Sequence, residues 1–258
     1  MRRPGACLRP GKRRFDLDPV ATRNRLLAQL SESESKALVG MEKVQLEARQ
    51  VLEVPGAPNS AVYFVERGLV SVVGTTRPNH RIEVGMIGFE GMTGAAIVLG
   101  DDLSANEAIV QSSGEAFRIS ASDLRVAMLQ HPRMAILFGH YIHVFMTQGS
   151  QTAVANGRGR LGERLARWIL MWHDRIGGEA LVVTHEFLSI LLGVRRAGVT
   201  VALHILEDRL LIKASRTLIR VLDRDGLQAA ANGFYGIPEA EYARLIGPLA
   251  LPGSSVRD

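Results

Sequence analysis

Short β-type runs punctuated by glycine fill the chain between Val44 and Ile119. The runs cover residues 44–46, 61–65, 69–73, 81–84, 108–111 and 116–119. Between them fall Pro55-Gly56, Gly68, Gly85, Gly88, Gly91, Gly94, Gly100 and Gly114. Many short strands separated by glycine turns predict a β-roll of the jelly-roll type, the double-stranded β-helix. On either side the period changes to that of helices. Residues 20–40 carry Leu26, Leu27 and Leu30 on one face, and Ser31-Glu32-Ser33-Glu34 starts a second short helix. After the strands, Ser120-Ala121-Ser122-Asp123 has the form of a capped helix start.

Pro132 then stands at a permitted first-turn position of a long helix. Its apolar stripe is Met134, Leu137, Phe138, Tyr141, Ile142 and Phe145, continued more weakly by Gln148 and Thr152. No acidic residue occurs between His131 and Gly157. Such a stripe is wider than one small domain requires, so Leu137, Phe138, Tyr141, Ile142 and Phe145 are expected at a subunit interface. A plain core helix is the alternative. Gly157 and Gly159 mark a hinge, and residues 161–176 form another amphipathic helix that buries Leu165, Trp168, Ile169 and Trp172.

The most specific pattern follows, over residues 183–206. Thr184 suits an N-cap and Glu186 the positive end of a helix dipole. Phe187, Leu188, Leu191 and Leu192 supply an apolar face before Gly193 provides a tight turn. The next helix buries Val199, Ala202, Leu203 and Leu206 at spacings of three and four. Arg195, Arg196 and Thr200 remain near its free face, as they do where a helix-turn-helix presents its second helix to base edges. Two β-type runs, 210–213 and 218–222, then resemble the hairpin wing of a winged helix. Lys213, Arg216 and Arg220 would meet the phosphate backbone there. Thr184, His185, Arg195, Arg196, Thr200, Lys213 and Arg216 are the candidate DNA-contacting residues.

Charge sharpens this division. Residues 1–31 hold eight Lys/Arg against two Asp/Glu, residues 32–130 eight against thirteen, and residues 158–231 twelve against eight. A basic segment beside an acidic body suits a DNA-reading domain attached to a domain with another task. The single cysteine, Cys7, leaves no disulfide framework, iron–sulfur cluster or zinc-finger set. No apolar run approaches the ~18 residues that cross a bilayer, and the basic start lacks a signal-peptide core. A cytoplasmic protein with no membrane partner is expected.

Together the β-roll, linking helix and winged helix resemble the Crp/Fnr family of bacterial transcription regulators. Three segments carry the resemblance: Tyr63-Phe64-Val65-Glu66-Arg67-Gly68-Leu69-Val70, the glycine-rich 85–94, and the frame Thr184, Gly193, Arg196, Val199, Leu203, Leu206, Glu207-Asp208. The resemblance covers roughly residues 25–230 and implies an α+β fold with a β-roll sensor 20–130, a dimerisation helix 131–157 and a winged helix-turn-helix 158–231, flanked by a basic segment 1–19 and an extension 232–258. It also implies a homodimer on near-palindromic promoter DNA, with RNA polymerase as a further partner if the protein activates.

Departures from the family pattern narrow the function. Cyclic-nucleotide sensors hold the phosphate with an arginine, because a guanidinium answers the anion bidentately. Here no arginine lies between Arg81 and Arg118, and Asp101-Asp102 would repel a phosphate. Cyclic nucleotide binding is not expected. An unidentified small effector would use a candidate pocket of Gly85, Gly91, Met92, Thr93, Gly94, Ser104 and Asn106. At the recognition helix, Ala197 and Val201 stand where family members commonly carry a glutamate and a second arginine. His140 and His143 have a metal-compatible spacing, but packed or solvated helix histidines explain it, and no metal site is expected. A cupin-like enzyme needs several metal ligands on strands, whereas residues 40–120 contain His80 as their one histidine. No catalytic residue or cofactor is expected. In the extension, Pro238, Tyr242 and Leu245 are apolar residues suited either to docking on the winged helix or to a partly mobile tail.

Overall fold

The computed structural model describes residues 22–77, 80–176, 180–215 and 217–248. The basic segment 1–19 and Arg216 lie outside these residues. A 3-10 turn (Leu27–Gln29) and α1 (Glu32–Ala37) come first, the latter started by a capping box in which Ser31 and Glu34 serve each other's backbone N–H. Strands β1 (Glu42–Leu46), β2 (Val51–Glu53), β3 (Ala61–Thr75) and β4 (Arg81–Ile87) follow, then α2 (Ala95–Val98) and β5 (Glu107–Ser120). They form one antiparallel sheet in the order β1-β5-β3-β4, with β2 also paired to β5.

Glycines expected to end strands bend them instead. β3 and β5 each join two of the predicted runs, and their pairing slips between Val65 and Arg67, Arg67 and Leu69, and Leu69 and Val70. Gly68 has φ +90°, and a Cβ there would lie 2.5 Å from the Ser112 carbonyl oxygen. One at Gly114 would lie 2.0 Å from that of Arg67. Two glycines at this crossing let long strands bulge and curl without stopping.

Helix α3 (Ala121–Gln130) starts at Ser120, whose Oγ accepts from the Asp123 backbone N–H at 3.1 Å. Helix α4 (Pro132–Arg158) is 27 residues long, about 40 Å. Its stripe turns inward: Met134, Phe138, Tyr141 and Ile142 are buried in one cluster with Phe64, Met92 and Leu124. Phe145 packs on Gly85, and Leu137 lies partly buried against the same cluster as Phe138. The predicted interface residues Phe138, Tyr141 and Ile142 are thus sealed within the chain, because the β-roll covers the face that they share. The helix leaves other apolar side chains open, with Ile136, Met146 and Val154 at 58%, 63% and 48% exposure.

Beyond α4 come α5 (Leu161–Ile176), β6 (Ala180–Val182), α6 (His185–Leu191), α7 (Arg196–Asp208), β7 (Ile212–Ala214), β8 (Leu218–Val221), α8 (Arg224–Ala230) and α9 (Ile237–Leu245). The strands form a small antiparallel sheet ordered β6-β8-β7, so the predicted hairpin gains a third strand from ahead of the helix pair. One core joins Leu165, Trp168, Ile169 and Trp172 to Val199, Leu203 and Leu206, and also takes in Leu69 and Met86 from the β-roll. The start of the extension docks on the winged helix, where Tyr235 packs on its core and its Oη donates to Asp174 Oδ2 at 2.6 Å, but Tyr242 and Leu245 do not. Instead α9 packs along α4, Tyr242 enters the β-roll core, and its Oη donates to the Glu90 carbonyl at 2.7 Å. Among the described residues no single helix is long and apolar enough to cross a membrane.

Candidate nucleic-acid interface

Helices α6 and α7 are inclined at 106° to one another, within the range of DNA-reading helix pairs. Thr184 caps α6: its Oγ1 accepts from the Phe187 N–H at 3.1 Å. Gly193, at φ +63°, makes the turn that a Cβ would strain. The inner side of α7 is the one read from sequence, with Val199, Ala202, Leu203 and Leu206 buried. Its outer side carries Arg196, Ala197, Val201, His204 and Ile205, all exposed.

Four of the candidate residues, His185, Arg195, Arg196 and Thr200, come together at the first half of α7. Arg195 is its exposed N-cap residue, and Arg196 opens the first turn with Nη1 4.0 Å from Glu186 Oε2, both side chains largely in solvent. His185 Nδ1 lies 3.1 Å from Thr200 Oγ1, and Thr200 also donates to the Arg196 carbonyl at 3.2 Å. This link ties the first turn of α6 to the middle of α7. Burial, then the charges of Arg196 and His204, lowers the His185 pKa, so the imidazole is neutral at neutral pH. Thr184 therefore starts α6 and His185 ties it to α7, while Arg195 and Arg196 carry the exposed charge.

On the wing, Lys213 pairs directly across from Arg220, and both are exposed. Like charges opposite one another destabilise a strand pair. A phosphate between them would convert that cost into attraction.

Groups farther back hold this domain against the β-roll. Arg175 Nε donates to Glu90 Oε1 at 2.7 Å, and Trp168 Nε1 to Glu83 Oε1 at 2.7 Å. Burial pushes the Glu83 carboxyl up to about 7, against the opposing hydrogen bonds from Ser71 and Trp168. Glu83, Glu90 and Arg175 were not singled out by sequence reasoning. No local signal joins partners 85 positions apart.

The seven candidate effector residues do not share one cavity wall. Gly91 lies beneath the Tyr141 ring, where a Cβ would come 2.2 Å from Oη, and Gly85 beneath Phe145. Met92 and Thr93 are buried. The Gly94 N–H donates to Glu53 Oε1 at 2.6 Å, so a carboxylate already takes this donor. Ser104 is turned onto the Asn106 carbonyl. Asn106 alone of the seven lines an open cleft of about 990 Å³ between the β3–β4 hairpin (Thr76, His80, Ile82) and the helix-turn-helix (Ile190, Gly193, Arg195). His143 Nε2 stands 3.7 Å from Glu241 Oε2. Among the described residues no three His, Cys, Asp or Glu side chains gather as metal ligands would.

Residues 163–230 match the sequence model of the Crp-like helix-turn-helix domain. No curated protein matches the sequence. Among solved structures, a transcriptional regulator of the Crp/Fnr family from Eubacterium rectale superposes with a TM-score of 0.62 at 14% identity, over 81% of this chain and 98% of its own. FixK2 from Bradyrhizobium japonicum gives 0.61 at 15% identity, over 74% and 96%. The c-di-GMP responsive global regulator CLP from Xanthomonas campestris gives 0.58 at 18%, over 70% and 93%. The likeness extends over both domains and shows that they share one α+β fold.

Proposed function

We propose that this chain, which has the Crp/Fnr fold and a Crp-like helix-turn-helix domain, is a transcription regulator that binds promoter DNA as a homodimer. The observation that carries the reading is the solvent-facing start of α7, where Arg195 and Arg196 stand together on the exposed side of the helix-turn-helix. The paired wing cations Lys213 and Arg220 support it. In this reading Arg196 reads a base edge, Arg195 and the wing hold phosphates, and Thr184, His185 and Thr200 fix the helix that presents them. Two copies joined through the open apolar side chains Ile136, Met146 and Val154 of α4 would set two recognition helices on successive major grooves of a near-palindromic site. Work on promoter DNA puts the protein in the bacterial cytoplasm, with RNA polymerase as a partner if it activates.

The β-roll takes no cyclic nucleotide in this reading, since Glu53 holds the Gly94 N–H and the segment lacks an arginine. A second reading gives the regulator a small effector, and the cleft beside Asn106, His80 and Arg195 favours that position over the loop at 91–94. No enzymatic step is assigned. Titration of a labelled promoter duplex at stepped salt concentrations tests the proposal. A log–log slope of about −0.9 per phosphate neutralised is expected, and an affinity independent of salt would refute it.

A further inference from the structure

We propose that Ala197 and Val201 read the C5-methyl groups of thymines in the major groove, so that the half-site pairs a guanine facing Arg196 with thymines beside it. This rests on the DNA-reading function proposed above and names the bases that it selects.

The outer face of α7 lacks most of the groups that read bases. From Arg196 to Leu206 the helix carries no carboxylate, asparagine or glutamine. It therefore has neither the acceptor that takes cytosine N4–H₂ nor the amide that pairs bidentately with adenine. The Thr200 hydroxyl is engaged inside the protein, by His185 and the Arg196 carbonyl. What remains outward in the first two turns is one guanidinium, at Arg196, and the apolar groups of Ala197 and Val201. Arginine matches guanine O6 and N7, and the one apolar group on a major-groove base edge is the thymine methyl.

Val201 is 59% exposed in the middle of a helix. A β-branched residue there gives up helix propensity and gains no packing within the chain. Contact with a second apolar surface would supply the missing gain. Ala197 and Val201 are four residues apart on one face, about 6 Å along the helix axis. That rise corresponds to about two base steps of a strand, at 3.4 Å each. Cytosine opposite Val201 is disfavoured twice, since it lacks the methyl and would leave N4–H₂ facing a hydrocarbon.

The test begins with the duplex enriched by this protein from a random pool. Each half-site thymine is replaced in turn by deoxyuridine, which removes the methyl and leaves every hydrogen-bonding group in place. Burial of one methyl predicts about a fourfold loss of affinity at the position facing Val201. The same replacement should change nothing for Val201→Ser, whose exposed site leaves folding intact by circular dichroism. Equal affinity of wild type for thymidine and deoxyuridine duplexes at every position would overturn the proposal, as would enriched half-sites without thymine. Those results leave DNA reading standing. A pool from which nothing is enriched removes the parent function and this inference together.

Discussion

Arg175 and Glu90 form an ion pair at 2.7 Å with exposures of only 5% and 2%, across the seam between the helix-turn-helix domain and the β-roll. Further hydrogen bonds hold both groups in place. Glu90 Oε2 accepts from the Gly88 N–H at 2.9 Å, Arg175 Nη1 donates to the Met171 carbonyl at 2.8 Å, and Tyr242 reaches the Glu90 backbone. Breaking one side of such a pair strands the other charge in the interior. Glu90→Gln is expected to cost about 3–5 kcal/mol, read as a fall in the urea midpoint. Replacing both residues by apolar ones of similar volume should cost much less.

Glu83 gives the protein a pH dependence of defined sign. Its carboxyl is pushed up to about 7 by burial, from an ordinary value of 4.5. The folded state therefore holds a proton that the unfolded state has released between those pH values. Stability should fall as pH rises from about 4.5 to 7 and level off above, by up to about 3 kcal/mol from this group. Chemical unfolding at stepped pH, followed by tryptophan fluorescence, should show this slope in wild type and its loss in Glu83→Gln.

The wing pair separates DNA binding from stability. Lys213 and Arg220 repel across the β7–β8 ladder, so Lys213→Ala should leave the melting temperature unchanged or slightly raised. If the pair holds a phosphate, the same variant weakens binding to all duplexes alike and lowers the salt slope by about one. An effect confined to one base pair would assign Lys213 to base reading instead.

Met146 tests the proposed subunit contact. It is 63% exposed midway along α4, whereas Phe138 and Tyr141 belong to the core of the chain. Met146→Glu should shift sedimentation from dimer to monomer with unchanged circular dichroism. Phe138→Ala should instead lower stability by about 3–5 kcal/mol through an internal cavity.

Where function rested on local chemistry, the sequence was legible. The caps at Ser31, Ser120 and Thr184, the turn at Gly193 and the buried face Val199–Ala202–Leu203–Leu206 all follow from neighbours within a few residues. Periodicity also found the stripe of α4, but could not name what covers it, because a period is the same whether the neighbour is a partner or the chain's own sheet. Gly68 signalled special backbone, yet a turn and a bulge place the same demand on φ, and only the Gly114 crossing distinguishes them. The docking of Tyr242 on Glu90 and of Arg175 beneath it joins residues far apart in sequence, and no pattern along the chain encodes such contacts.

Selection of bound duplexes from a random pool, run in parallel with wild type and Arg196→Ala, tests sequence reading by α7 most directly. The expected wild-type result is a two-fold-symmetric motif with half-sites about one helical turn apart. Arg196→Ala should enrich the same motif with one guanine position per half-site relaxed, at a cost of about 1–3 kcal/mol. Failure of wild type to enrich any sequence, or an identical motif from both proteins, would contradict the account.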